Sequence, residues 1–159
     1  MKNFTKKLCS LLLVVISLFT MIFLSACGNQ EKKLQEFYDT VVVSQECLDE
    51  LADDIYTNWY NAIYKDKHSG DINKAILAAQ QDNAANLTII EGNDEIIQEI
   101  YKEVRDSDLS SEVKAVMSAY SDYYEFVVNV SGSFNSYSAD KETLKKELAS
   151  ALKDLALEL

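Results

Sequence analysis

The stretch 34-LQEFYDTVVVSQECLDELADDIYTNWYNA-62 decides the fold of this chain. Its apolar residues recur every three or four positions, which is the spacing of one face of an α-helix and not the alternation of a β-strand. This apolar stripe is interrupted by Gln45 and otherwise consists of Leu34, Tyr38, Val41, Leu48, Ala52, Ile55, Trp59 and Ala62. Because the chain contains no proline and only four glycines, the same spacing continues beyond this stretch, and we expect an all-α protein.

Four helices are expected in all. The first runs over residues 31–66 and is followed by a short turn, after which Asp71 caps the second. The second covers residues 71–106, because apolar or small polar residues recur at intervals of seven on both sides of Gly92: Ile76, Asn83, Ile90, Ile97 and Val104. One helix kinked at Gly92 is therefore favoured over two helices broken there.

The last two helices are shorter. A turn at residues 106–108 precedes a third helix that extends to about residue 131, and Ser138 is expected to cap the fourth. The fourth helix carries the most regular apolar stripe of the chain, which consists of Leu144, Leu148, Ala151 and Leu155. Four amphipathic helices joined by short turns predict an up-down-up-down four-helix bundle.

The helix lengths predict that the first hairpin is longer than the second, so that residues 54–83 project beyond it. Four tyrosines near the projecting end are candidate partner-binding residues: Tyr56, Tyr60, Tyr64 and Tyr137. Tyrosine is enriched at interface hot spots because it combines a large apolar area with a polar hydroxyl. The alternative is that these residues only stabilise the hairpin.

Polar residues also interrupt the apolar stripes. Gln45 and Asn93 come out level with each other in the predicted bundle. Buried amides of this kind commonly fix the register of packed helices. The alternative is that a small polar molecule binds in the bundle interior, with Gln45 and Asn93 as its ligand-binding residues.

The amino-terminal segment has the order of a signal peptide. Three lysines are followed by an apolar run of 17 residues, from Leu8 to Leu24, and then by small residues. The run is short for a membrane-spanning helix, and no basic residue follows it directly. A signal that is removed fits better than an anchor helix.

The end of this segment is more specific, because Leu24, Ser25, Ala26 and Cys27 resemble the lipobox of bacterial lipoprotein precursors at all four positions. The resemblance implies transfer of a diacylglyceryl group to the Cys27 sulfur, cleavage before Cys27 and a membrane anchor of acyl chains such as palmitate. It divides the chain into a signal peptide (1–26), a lipidated linker (27–30) and a helical domain (31–159). An uncleaved signal anchor or an ordinary secretory cleavage are the alternatives, and all three place the domain outside the cytoplasm.

The charge of the mature chain limits its partners. Loss of three lysines with residues 1–26 leaves 26 acidic and 12 basic residues, a formal charge of −14. Nucleic acid is not expected to bind such a surface. The same charge repels anionic lipid headgroups, so we expect attachment to the cell membrane through the lipid on Cys27 alone.

Residues for catalysis are scarce. His68 is the single histidine and lies in a predicted turn, so neither a Ser-His-Asp triad nor a helical di-metal site can be assembled. The acidic residues 46–54 lack the glycine turn and spaced oxygens of a calcium loop, and we expect a solvated acidic face there. We therefore predict no enzyme, no cofactor and no metal site, but a protein-interaction module whose partner is another protein of the cell envelope.

Overall fold

The computed structural model describes residues 29–159, and all regular structure within them is helical. The elements are α1 (Asn29–Lys65), a 3-10 turn (Lys67–Gly70), α2 (Ile72–Asp82), α3 (Ala84–Val104), α4 (Ser110–Val128) and α5 (Phe134–Ala156). The all-α prediction is confirmed. The predicted signal peptide and Cys27 lie outside the described residues.

Helix α1 is the central element, since it contacts each of the other helices. Its apolar stripe is buried as predicted, except that Tyr38 is half-buried and the neighbouring Phe37 is fully buried instead. The other helices cover this stripe with fully buried side chains that include Ile90, Ile97, Val116, Leu148 and Leu155. Each such side chain stabilises the fold by about 1.5–3 kcal/mol through burial.

Helices α1 and α3 run antiparallel. Lys33 near the start of α1 lies 4.0 Å from Glu103 near the end of α3, whereas Glu50, farther along α1, accepts a hydrogen bond of 2.9 Å from Asn86 near the start of α3. These two contacts fix the register of the pair. Residues in the middle of α3 therefore lie level with residues in the middle of the first half of α1.

Helices α1 and α5 are antiparallel as well. Lys141 forms an ion pair with Asp53, and one turn later on α5 Lys145 lies 3.0 Å from Asp49. Later residues of α5 thus contact earlier residues of α1. Each contact joins a lysine on α5 to a carboxylate on α1, so the register of this pair is set by charge.

The second predicted helix is interrupted, but at Asn83 and not at Gly92. The Asn83 side chain donates to Asp54 Oδ2 on α1 at 2.8 Å and to its own helix at Ala79 O at 3.0 Å. A side chain that bonds to the preceding turn competes with the backbone ladder and bends the helix. Gly92 lies within α3 in helical conformation, so the helix does run through Gly92 as favoured, but the prediction of one helix over residues 71–106 is wrong because of the break at Asn83.

The N-cap of the last helix lies five residues earlier than predicted. Ser133 and not Ser138 is the N-cap, because the Ser133 hydroxyl accepts from Ser136 N at 3.2 Å and Ser136 Oγ accepts from Ser133 N at 3.0 Å. The expected loop before α5 is therefore partly helical, and Phe134 is the first residue of the helix.

The amino-terminal boundary differs slightly from the prediction. Helix α1 begins at Asn29, so residues 29–30 of the predicted linker belong to the helix. No helix in residues 29–159 has the length and apolar character required to cross a bilayer.

Candidate functional site

The far end of α1 carries a cluster of aromatic rings, which we call the aromatic tip: Tyr56, Tyr60, Tyr64 and Phe134. The three tyrosines are spaced by four residues and therefore lie on one face of α1. The Phe134 ring contacts all of them, with centroid distances of 5.1 Å to Tyr56, 6.2 Å to Tyr60 and 6.2 Å to Tyr64. The first residue of α5 thus holds the aromatic face of α1 together.

The outer part of the aromatic tip faces solvent. Tyr60 is 37% exposed and Tyr64 is 60% exposed, and Ile63 beside them is 43% exposed. The rings of Tyr60 and Tyr64 lie 4.7 Å apart. Such ring pairs contribute about 0.5–1.5 kcal/mol beyond their burial, so Tyr60 and Tyr64 stabilise each other while they remain accessible to solvent.

Tyr137 is not part of this surface. Its side chain is 1% exposed, its hydroxyl donates to Ala52 O at 3.3 Å, and its ring lies 5.5 Å from the Trp59 ring. Burial raises the pKa of Tyr137. The prediction of Tyr137 as an accessible partner-binding residue is therefore corrected. Because α5 begins at Phe134, Tyr137 lies within the helix, and its ring packs in the interior against Trp59.

Two lysines lie against the rings of the aromatic tip. Lys65 Nζ is 5.3 Å from the Tyr60 ring centroid, and Lys141 Nζ is 5.0 Å from that of Tyr56. Lys141 is buried, which lowers its pKa, but the hydrogen bonds and charges of Asp53 and Glu142 outweigh burial and raise the pKa overall. Cation–π contacts of this type favour one orientation of each ring.

The turn after α1 is conformationally strained. Asp66, His68 and Ser69 have positive φ values of 52°, 56° and 56°, next to Gly70 at 68°. Left-handed backbone costs a residue with a side chain about 1–2 kcal/mol. His68 Nε2 lies 3.2 Å from Asn58 Oδ1 on α1, a contact that holds this turn against the helix next to the aromatic tip.

The charge around the aromatic tip differs from that of the rest of the chain. Residues 55–80 contain three basic and two acidic residues, a net charge of +1, while the rest of residues 29–159 carries −15. The net negative charge that dominates the rest of residues 29–159 is therefore absent from this segment.

The acidic residues of α1 form a largely exposed face as predicted, with Asp49 half-buried, and several of them also contact other helices. Asp49 accepts a hydrogen bond of 2.8 Å from Tyr123 OH on α4, and the carboxylates of Glu50, Asp53 and Asp54 contact α3, α5 and Asn83, as described above. Burial, followed by the hydrogen bond to Asp49, raises the pKa of Tyr123. Residues 29–159 contain no group of three or more His, Cys, Asp or Glu side chains able to hold a metal ion.

A second group of polar side chains lies in the interior. Ser44 on α1 and Tyr120 on α4 are fully buried, and Asn93 on α3 is 6% exposed. We call these three residues the interior polar layer. Of the two predicted ligand-binding residues, Asn93 belongs to it, whereas Gln45 is half-buried beside Ser44.

Sequence reasoning missed Ser44 and Tyr120 for different reasons. Val41, Ser44 and Leu48 keep the spacing of three and four along α1, so a signal for Ser44 existed, but Gln45 was taken as the residue on the stripe. Tyr120 keeps the spacing of an apolar stripe with Val113, Val116 and Val127 on α4, and this spacing does not indicate whether its hydroxyl has a partner.

Comparison of the chain with protein-family models, curated proteins and solved structures found no match.

Proposed function

We propose that this protein is a lipid-anchored interaction module at the extracytoplasmic face of the cell membrane, and that its aromatic tip docks onto another protein of the cell envelope. The observation that carries the docking proposal is the exposure of Tyr60 and Tyr64 on an ordered aromatic cluster. The lipobox residues that end at Cys27 support the anchor. The role is one of binding and not of catalysis.

The proposed architecture is an up-down-up-down four-helix bundle in which α2 and α3 together form one kinked second helix. The antiparallel contacts of α1 with α3 and α5 support this arrangement. Lipidation of Cys27, two residues before α1, then holds the start of α1 at the bilayer. The aromatic tip, at the other end of α1, faces away from the membrane.

The partner is a protein with an apolar patch and without a strongly basic rim. Tyr60, Ile63 and Tyr64 provide apolar area with hydroxyl groups, which protein interfaces use at their centre. Lys65, close to Tyr60, and Lys67 in the following turn place positive charge around this area. A neutral or acidic partner surface complements this end of the molecule better than a basic one.

Site-specific photocrosslinking of the full lipidated chain in native membranes tests the proposal. A benzophenone amino acid replaces Tyr64 in one variant and Ile96 in another. Ile96 on α3 is 38% exposed and lies away from the aromatic tip, so it is the matched control. We expect one predominant protein adduct at position 64, absent at position 96 and lost when Tyr60→Ala is added.

The folding of the alanine variants must be measured together with crosslinking. Because Tyr60 and Tyr64 are exposed, Tyr60→Ala with Tyr64→Ala should shift the melting temperature by only a few degrees, measured by circular dichroism. Identical adducts at positions 64 and 96, or adducts that survive Tyr60→Ala, would exclude docking at the aromatic tip. Loss of the folded state in the double variant would assign both residues to the core.

A further inference from the structure

The interior polar layer contains three buried polar atoms that form no hydrogen bond of good geometry with any group among residues 29–159: Ser44 Oγ, Asn93 Nδ2 and Tyr120 OH. Each comes from a different helix. Leaving such a group buried without a partner costs about 1–3 kcal/mol. Three in one region are unusual, since nearly all buried polar side-chain atoms in proteins have a partner.

The three atoms share one level of the molecule. The register of α1 and α3, fixed by Lys33–Glu103 and Glu50–Asn86, places Asn93 opposite Ser44. Tyr120 lies at the same level, because its hydroxyl is within hydrogen-bonding reach of both Ser44 on α1 and Asp94 on α3, although neither contact has good hydrogen-bond geometry. Burial and then the Asp94 carboxylate raise the pKa of Tyr120, while the Ser44 hydroxyl lowers it.

Other buried amides of α3 and its preceding kink differ from Asn93. Asn83 Nδ2 donates to Asp54 and Asn86 Nδ2 donates to Glu50, so both carboxamides bond directly to α1. Near the level of Asn93, α1 carries the buried Ser44, with Gln45 half-buried beside it. The fixed register of the helices therefore satisfies the first two amides and leaves the third without a partner.

We propose that the interior polar layer binds one small neutral molecule that accepts a hydrogen bond from Asn93 Nδ2 and exchanges hydrogen bonds with Ser44 and Tyr120. The molecule is neutral because burying an ion among a serine, an asparagine and a tyrosine carries a large desolvation cost. Water satisfies this chemistry, and so does an organic molecule with a hydroxyl or amide group. This site is separate from the aromatic tip and does not depend on the docking proposal.

The test uses the full chain purified from membranes in detergent, as wild type and as Asn93→Leu. Leucine has the branched shape of asparagine without its polar atoms, so the variant removes the hydrogen-bonding groups of Asn93 and keeps a branched side chain at this position. A crystal structure at atomic resolution reveals density among Ser44, Asn93 and Tyr120. Mass spectrometry of the denatured sample identifies any organic molecule that was carried through purification. Asn73→Leu makes the same substitution at an exposed position on α2. It is the control for effects of an asparagine-to-leucine change outside the interior polar layer.

Two results support the proposal, and they distinguish water from an organic molecule as the occupant of the site. A single oxygen peak in wild type and in Asn73→Leu, absent in Asn93→Leu and without any co-purified organic molecule, identifies water as the occupant. An organic molecule recovered from wild type and Asn73→Leu at near one per chain, and at least tenfold reduced in Asn93→Leu, identifies an organic ligand. Direct hydrogen bonds among the three side chains, with no density between them, would overturn the proposal.

Discussion

At the scale of single residues, three buried tyrosines define how this protein responds to pH. Tyr120, Tyr123 and Tyr137 are each at most 1% exposed, and burial is the largest cause that raises the pKa of each hydroxyl. Carboxylates on neighbouring helices add to the effect, Asp94 on Tyr120 and Asp49 on Tyr123. All three phenols are thereby held in their neutral form when the chain is folded.

This arrangement predicts a loss of stability in alkali. In the unfolded chain a tyrosine ionises near pH 10, whereas these three retain their protons to higher pH when folded. Their contribution is fully present below pH 10 and is lost as pH rises towards the raised folded pKa. We expect the free energy of unfolding, measured with urea between pH 9 and 11, to fall by up to about 4 kcal/mol per pH unit above pH 10.

Tyr137→Phe isolates one of the three contributions. The variant removes a hydroxyl that, within residues 29–159, hydrogen-bonds to Ala52 O alone, at 3.3 Å, so its stability at pH 8 should change little. Above pH 10 its slope should be smaller than that of wild type by about a third. Equal slopes in the two proteins would mean that the Tyr137 hydroxyl ionises as readily in the folded chain as in the unfolded one.

At the scale of helices, the sequence predicts the features that depend on local residue pattern. It does not predict the features that depend on contacts with residues far away in the chain. The apolar stripe of α1 and the Asp71 cap, which accepts from Lys74 N at 3.1 Å, were both predicted. The break at Asn83 was not, because one of the two hydrogen bonds that the Asn83 side chain donates goes to Asp54, 29 residues earlier in the chain. Gly92 attracted the prediction because glycine is locally the weakest helix former.

The position of the kink is testable with two glycine variants. Gly92 lies inside α3, and a Cβ added there meets no other atom within 4 Å. Gly92→Ala should therefore raise the free energy of unfolding by about 0.5–1 kcal/mol, because alanine is the better helix former. Urea unfolding at neutral pH measures the change.

Gly70→Ala is the matched control, since Gly70 has a φ of +68°. A side chain is strained in this conformation, so the free energy of unfolding should fall by about 1–2 kcal/mol. A fall in both variants would mean that Gly92 also needs a backbone conformation that only glycine adopts readily, as a kink at Gly92 requires.

The candidate site shows the same division between local and distant information. Tyr60 and Tyr64 were found from composition and helix phase, and they are exposed. Phe134, which contacts them, and Tyr137, which is buried below, depend on where α5 begins. That position follows from a cap made by two serines, Ser133 and Ser136, and the usual sequence signature of a capping box has glutamate or glutamine at the second position.

At the scale of the whole molecule, the proposed function depends on the distance between the lipid and the aromatic tip. Helix α1 contains 37 residues, which corresponds to a length of roughly 55 Å. Net negative charge is concentrated outside the aromatic tip and is repelled by anionic lipids. An anchor at Cys27 combined with this repulsion should hold α1 away from the bilayer plane, with the aromatic tip outermost.

Energy transfer from the lipidated chain to the bilayer surface tests this orientation. The chain is reconstituted into vesicles that contain phosphatidylglycerol and an acceptor-labelled lipid headgroup, with a donor dye at Gln30→Cys in one variant and at Lys67→Cys in another. Both positions are exposed and lie near opposite ends of α1, whereas the native Cys47 is buried and should react little. We expect strong transfer from position 30 and weak transfer from position 67, because transfer falls steeply over the length of the helix. Equal transfer from both would mean that the protein lies flat on the membrane, where the aromatic tip would contact lipid and not a partner protein.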